Sequence, residues 1–130
     1  MRPEMVERAG AYAAEVITGW RNALAAKGLD AAVPAVPRYE RMTRKAFIDG
    51  FTAGQEYAVR LFLGIMPVQP LNPRVLFELA GSYAADVVGD LTVAITPEAR
   101  VPDDLRVRED LTTVLSGAFA VGFGLGLAET

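Results

Sequence analysis

Residues 46–54 read AFIDGFTAG, and residues 118–126 read AFAVGFGLG. Set on one another at an offset of 72, the two blocks place Phe47 on Phe119, Gly50 on Gly122, Phe51 on Phe123 and Gly54 on Gly126. At 3.6 residues per turn, the four positions of each block fall on one helical face. A glycine inside a helix costs about 0.5–1 kcal/mol relative to alanine, so two of them four residues apart call for a compensating gain. Close approach of another helix backbone supplies it, with the neighbouring phenylalanines filling the volume beside the crossing. These eight residues are therefore the candidate helix-crossing or interface positions. The same glycines also suit a second use, opening a pocket lined by the four phenylalanines for a small apolar ligand. They do not suit a phosphate cradle, because Gly122, Gly124 and Gly126 follow no predicted strand and lack the lysine or acidic partner that such a loop needs.

A second pair of blocks keeps the same order. Residues 9–16 read AGAYAAEV and residues 80–87 read AGSYAADV, an offset of 71. Two blocks in register predict an all-α fold over 1–130, a single domain built as a four-helix unit from an internally duplicated helical hairpin with pseudo-twofold symmetry. The halves run over about 3–64 and 72–130. Tyr12 and Tyr83 occupy matched positions, as do Glu15 and Asp86; a tyrosine with an apolar ring and a hydroxyl that wants a partner suits a helix flank.

Proline and glycine mark the helix ends. Pro3 suits a first-turn position and Gly28 the residue just past a helix end. Between them Met5, Ala9, Tyr12, Ala13, Val16, Trp20, Ala23 and Leu24 form the predicted apolar stripe. Pro34 and Pro37 lie in a predicted linker. The second helix, about 38–64, places Phe47, Gly50, Phe51, Gly54, Ala58, Leu61 and Phe62 on one face, with the pairs Lys45/Asp49 and Glu56/Arg60 on the other. Pro67, Pro70 and Pro73 follow, and Asn72 before Pro73 reads as an N-cap opening a third helix that runs to about Leu91. Pro97 and Pro102 enclose the next connection. Asp103 and Asp104 then offer capping oxygens to a fourth helix.

The 130 residues carry 13 basic and 16 acidic side chains, a formal net charge of -3 that argues against a nucleic-acid binder. Of the basic residues only Lys27 and Lys45 are lysine; with abundant Ala, Val and Gly, this fits a GC-rich coding genome, such as that of an actinobacterium or one of its phages. The start of the second helix is basic, with Arg38, Arg41, Arg44 and Lys45. Cations there oppose the helix dipole, so helix stability does not explain them. Pairing with the acidic start of the fourth helix (Asp103, Asp104, Glu109 and Asp110) is the simplest expectation. Contact with an anion or with an acidic protein surface is the alternative.

From Leu111 to Ala128 no residue is charged. As a helix the run spans roughly 27 Å, at the lower edge of what crosses a bilayer. Thr112, Thr113, Ser116 and four glycines lower its hydrophobicity, and its flanks are acidic, so a buried central helix or an oligomer interface is the expectation, with a membrane anchor as the alternative. The N-terminal ten residues hold two acids and no apolar core, which does not read as a signal peptide and gives a cytoplasmic expectation.

The chain has no cysteine and no histidine, which excludes disulfides, thiolate chemistry and every step that needs an imidazole. Asp86 and Asp90, or Asp49 and Glu56, do not make a carboxylate metal motif. Ser82 and Ser116 have no base nearby and no nucleophile-elbow sequence. The expectation is a protein without catalytic residues, metal or cofactor, a helical interaction or assembly protein that works by protein–protein contact and forms a homo-oligomer.

Overall fold

The computed structural model describes residues 2–28, 36–64, 72–92 and 105–128. Pro34, Pro67, Pro70, Pro97, Pro102, Asp103 and Asp104 lie outside them, so the predicted connections and the acidic cap of the last helix are not described. The described residues form four α-helices and no strand: α1 (Pro3–Ala26), α2 (Val36–Leu63), α3 (Pro73–Thr92) and α4 (Leu105–Ala128).

The helix ends follow local chemistry. Pro3 opens α1, and Gly28 follows its C-cap at φ 72°, a left-handed conformation that costs a residue without Cβ little. Gly64 does the same after α2, at φ 64°. The Asn72 side chain accepts a 2.9 Å hydrogen bond from the Val75 N–H, the N-cap geometry that its place before Pro73 predicts. Pro37, assigned from sequence to a linker, stands instead in the first turn of α2, where its missing N–H has no helical partner to lose.

Two ring pairs set the register of the first hairpin. Trp20 meets Tyr39 edge-on at 5.7 Å and Tyr12 meets Phe47 at 5.4 Å, so α1 runs antiparallel to α2. Tyr83 packs on Phe119 at 4.7 Å. The broadest interface joins α2 to α4, while α3 lies mainly on α4 and α1 on α2. Met5, Ala9, Ile17 and Trp20 from α1, Tyr39, Ala46, Phe47 and Phe51 from α2, Ala84 and Val88 from α3, and Leu111, Leu115 and Ala118 from α4 meet in one core.

Helical spacing and burial part company in two places. On α1 the buried row is Met5, Ala9, Ala13, Ile17, Trp20 and Leu24. Ile17 replaces Val16, which is half-buried, and Ala23 is exposed. On α2 the stripe leaves the core after Gly54: Leu61 is 49% exposed and Phe62 89% exposed. Earlier on α2, Tyr39, Thr43 and Ala46 are buried although the predicted stripe omits them, and the Thr43 hydroxyl donates to the Tyr39 carbonyl at 2.8 Å.

Candidate functional site

The structure brings the eight candidate crossing residues together between α2 and α4. A Cβ added to Gly50 would lie within 3 Å of the Phe119 carbonyl, and one on Gly122 within 3 Å of the Phe47 carbonyl. Gly54 faces the Phe123 carbonyl in the same way, and Gly126 faces that of Phe51. Residue numbers rise together along both helices, so α2 and α4 are parallel. Each glycine of one helix lies against the carbonyl of a phenylalanine on the other, and each phenylalanine is at most 5% exposed. Backbone meets backbone at this crossing, which leaves no volume there for a ligand. One cleft, of about 440 Å³, lies elsewhere and is lined by Ala58, Val59, Phe62, Leu63 and Leu127.

Each outer helix is also tied to the opposite hairpin by one hydrogen bond to a carboxylate. The Trp20 indole N–H donates to Asp110 Oδ2 at 2.8 Å, joining α1 to α4. The Tyr83 hydroxyl donates to Asp49 Oδ2 at 2.5 Å, joining α3 to α2. Lys45 Nζ reaches the same Asp49 oxygen at 2.7 Å, the pair expected from their spacing. Burial pushes the Tyr83 hydroxyl well above the ordinary tyrosine range, and the hydrogen bond to Asp49 and the charge of that carboxylate push it further in the same direction. Burial also raises Tyr12 and Tyr39, the latter against the opposing charge of Arg38. Neither cross-link was read from the sequence. The only available signal was that an indole N–H or a phenol set on a half-buried flank needs an acceptor.

The basic start of α2 divides into different settings. Arg38 sits 5.8 Å from the Tyr39 ring centre. Lys45 pairs with Asp49 within its own helix. Arg41 and Arg44 are exposed and line a cleft of about 340 Å³ with Gly10, Ala13, Pro37 and Glu40. Of the acids expected to pair with this cluster, Asp103 and Asp104 lie outside the described residues, and Asp110 accepts the Trp20 N–H.

Large exposed apolar side chains occur on all four helices. Among the described residues they are Val6 at the start of α1, Val59, Leu61, Phe62 and Leu63 at the end of α2, Phe77 and Leu79 near the start of α3, and Val121 on α4. Val59, Phe62 and Leu63 line one cleft with Ala58 and Leu127, whereas Phe77 lines another with Thr112, Thr113 and Ser116. Arg108–Ala128 is long and apolar enough to cross a membrane by length and composition, and 39% of its apolar window is buried inside the protein. Among the described residues no group of three or more Asp or Glu side chains could hold a metal ion. No family model, curated protein or solved structure matches the chain.

Proposed function

We propose that this is a non-enzymatic helical assembly protein that acts through protein–protein contacts as a homo-oligomer, using the apolar surface at the end of α2. The observation that carries this reading is the exposed apolar surface at the end of α2, where Phe62 is 89% exposed and Val59, Phe62 and Leu63 line one cleft with Ala58 and Leu127. Single exposed apolar residues are ordinary on a soluble surface; a contiguous group is the usual mark of a contact surface. The Phe/Gly faces serve the bundle's own crossing, and Arg41 and Arg44, toward the other end, are the groups offered to a partner with an acidic surface.

The bundle itself is read as a duplicated hairpin with pseudo-twofold symmetry. Support comes from the exchange of roles at the crossing: Gly50 lies against Phe119 as Gly122, its match in the repeat, lies against Phe47. Buried small residues also match, Ala9 and Ala13 on α1 with Ala80 and Ala84 on α3.

Light-scattering mass measured behind size exclusion, on untagged protein in detergent-free buffer, tests the functional reading. The expected result is a discrete dimer or higher oligomer. A monomer at every concentration overturns it. Aggregation relieved only by detergent favours a second reading, anchoring through residues 111–128, which rests on the apolar and partly uncovered α4.

A further inference from the structure

The crossing of α2 and α4 reads the same from either side. Gly50 lies against the Phe119 carbonyl as Gly122 lies against that of Phe47, and Gly54 meets Phe123 as Gly126 meets Phe51. Replacing one hairpin by a copy of the other would change none of these residue types, because the four positions are Phe, Gly, Phe and Gly in both. The face that joins the two hairpins of one chain therefore also fits the like hairpin of a second copy. Two copies paired in that way, α2 on α2 and α4 on α4, would each give one hairpin to each of two bundles, an exchange of identical elements.

Beside the crossing the hairpins differ. Trp20 donates to Asp110 and Tyr83 donates to Asp49. At the repeat offset of 72, Arg38 stands where Asp110 stands and Val121 where Asp49 stands. In a pair of first hairpins the Trp20 N–H would meet Arg38 of the second copy, which has donors only. In a pair of second hairpins the Tyr83 hydroxyl would meet Val121, which has no acceptor. Trp20 is only 8% exposed, so water does not readily replace the lost acceptor. We propose that Asp49 and Asp110 decide which hairpin the Phe/Gly face accepts, holding each to the other hairpin of its own chain against the like hairpin of a second copy. This rests on the duplicated-hairpin reading above. Core volume acts in the same sense: Tyr39 and Leu111 are matched and buried, so like pairing sets two tyrosines in one bundle and two leucines in the other. The first hairpin is the nearer to pairing with itself. Its Tyr12, the match of Tyr83, would find Asp49 of the second copy, which leaves Arg38 as the mismatch at Trp20.

The test is to unfold the full chain in denaturant, refold it at high protein concentration, dilute it and measure light-scattering mass behind size exclusion. A dimer built by exchange survives dilution, because its hairpins must unfold to part, whereas contact through an exposed surface reverses by mass action. Tyr83→Phe and Asp110→Ala each withdraw a bond made only between unlike hairpins, and Arg38→Asp supplies Trp20 with an acceptor in a pair of first hairpins. Each is expected to raise the ratio of dilution-resistant dimer to monomer about tenfold over the wild type. Asp110→Asn keeps an acceptor and is expected to match the wild type, and circular dichroism melting of the monomer fractions shows that the variants fold. If no variant raises the ratio, the role of the two carboxylates is overturned while the duplicated-hairpin reading stands. A rise in Tyr83→Phe and Asp110→Ala without one in Arg38→Asp overturns the equivalence of the hairpins, and the proposal with it. A wild type that already holds as much dilution-resistant dimer as Arg38→Asp also overturns the proposal, since the carboxylates then make no choice.

Discussion

The middle of α2 and its last two turns carry the same kinds of side chain in opposite surroundings. Phe47 and Phe51 are 1% and 3% exposed; Phe62, on the same helix, is 89% exposed. The difference lies in what reaches them. Around Phe47 and Phe51, α1 covers one side, and α4 comes so close on another that glycines face carbonyl oxygens. Beyond Gly54 the cover of α1 runs out, and the apolar row continues into the open. One region of the helix holds the bundle together, and the other is available to join it to something else. Mutations in the two regions should therefore separate folding from association.

The largest effect is expected at the crossing. Overpacking a core usually costs about 1–3 kcal/mol, because neighbouring side chains can yield. At Gly50, Gly54, Gly122 and Gly126 the neighbour is a backbone carbonyl held within its own helix, which cannot rotate aside. Gly50→Leu or Gly122→Leu should exceed that range and abolish the cooperative thermal transition seen by circular dichroism. The outer helices provide the contrast. Gly19 on α1 and Gly89 on α3 have open space where a Cβ would go, and Gly→Ala at either should raise stability by about 0.5–1 kcal/mol through helix propensity. A variant at the crossing that melts like the wild type would remove the argument that backbone contact requires those glycines.

This comparison also shows what sequence can carry. The glycine–phenylalanine blocks were legible because a helix interior tolerates paired glycines only for a local reason, and that reason is encoded in the spacing itself. Asn72 and Gly28 were legible for similar reasons, since an N-cap and a left-handed C-terminal residue act within one turn. The exposure of Leu61 and Phe62 was not. Periodicity states which residues share a face, but not how far the covering helix extends along it. Ile17 was missed in favour of Val16 because adjacent positions lie 100° apart, and the angle at which a neighbour packs decides which of them turns inward. The Trp20–Asp110 and Tyr83–Asp49 bonds join positions 90 and 34 residues apart, and no local signal specifies such a pairing.

A smaller effect is expected from the bond that ties α3 to α2. Tyr83→Phe keeps the ring on Phe119 and removes the hydroxyl that donates to Asp49, at a cost of about 1 kcal/mol. It should also alter the response to alkali. The Tyr83 hydroxyl loses its proton far less readily in the folded protein than in the unfolded chain, where the ordinary value is 10.0. Its contribution is fully present below pH 10 and is lost as the pH rises above that value, because the unfolded chain then releases a proton that the folded one retains. Tyr12 and Tyr39 act in the same direction. Denaturant unfolding between pH 8 and about pH 11 should show stability falling with pH in the wild type and falling less steeply in Tyr83→Phe. Equal slopes would mean that the Tyr83 hydroxyl is neither buried nor held against Asp49 in solution.

The smallest effect on folding is expected where the apolar side chain is largest and most exposed. Replacing a buried phenylalanine costs about 3–5 kcal/mol, whereas a surface substitution usually stays within about 0.5 kcal/mol. Phe62, at 89% exposure, has almost no apolar surface to lose on unfolding within one chain. Phe62→Ser should leave the melting temperature of dilute protein unchanged within about 2 °C while reducing its dependence on protein concentration. That dependence is the signature of stability drawn from association by mass action. Dilution matters to the comparison, because at high concentration an associating wild type gains stability that the variant lacks, and a difference between them would imitate a folding defect. A fall in melting temperature that persists at the lowest measurable concentration would place Phe62 in the fold rather than on its surface, and the two regions of α2 would no longer differ in kind.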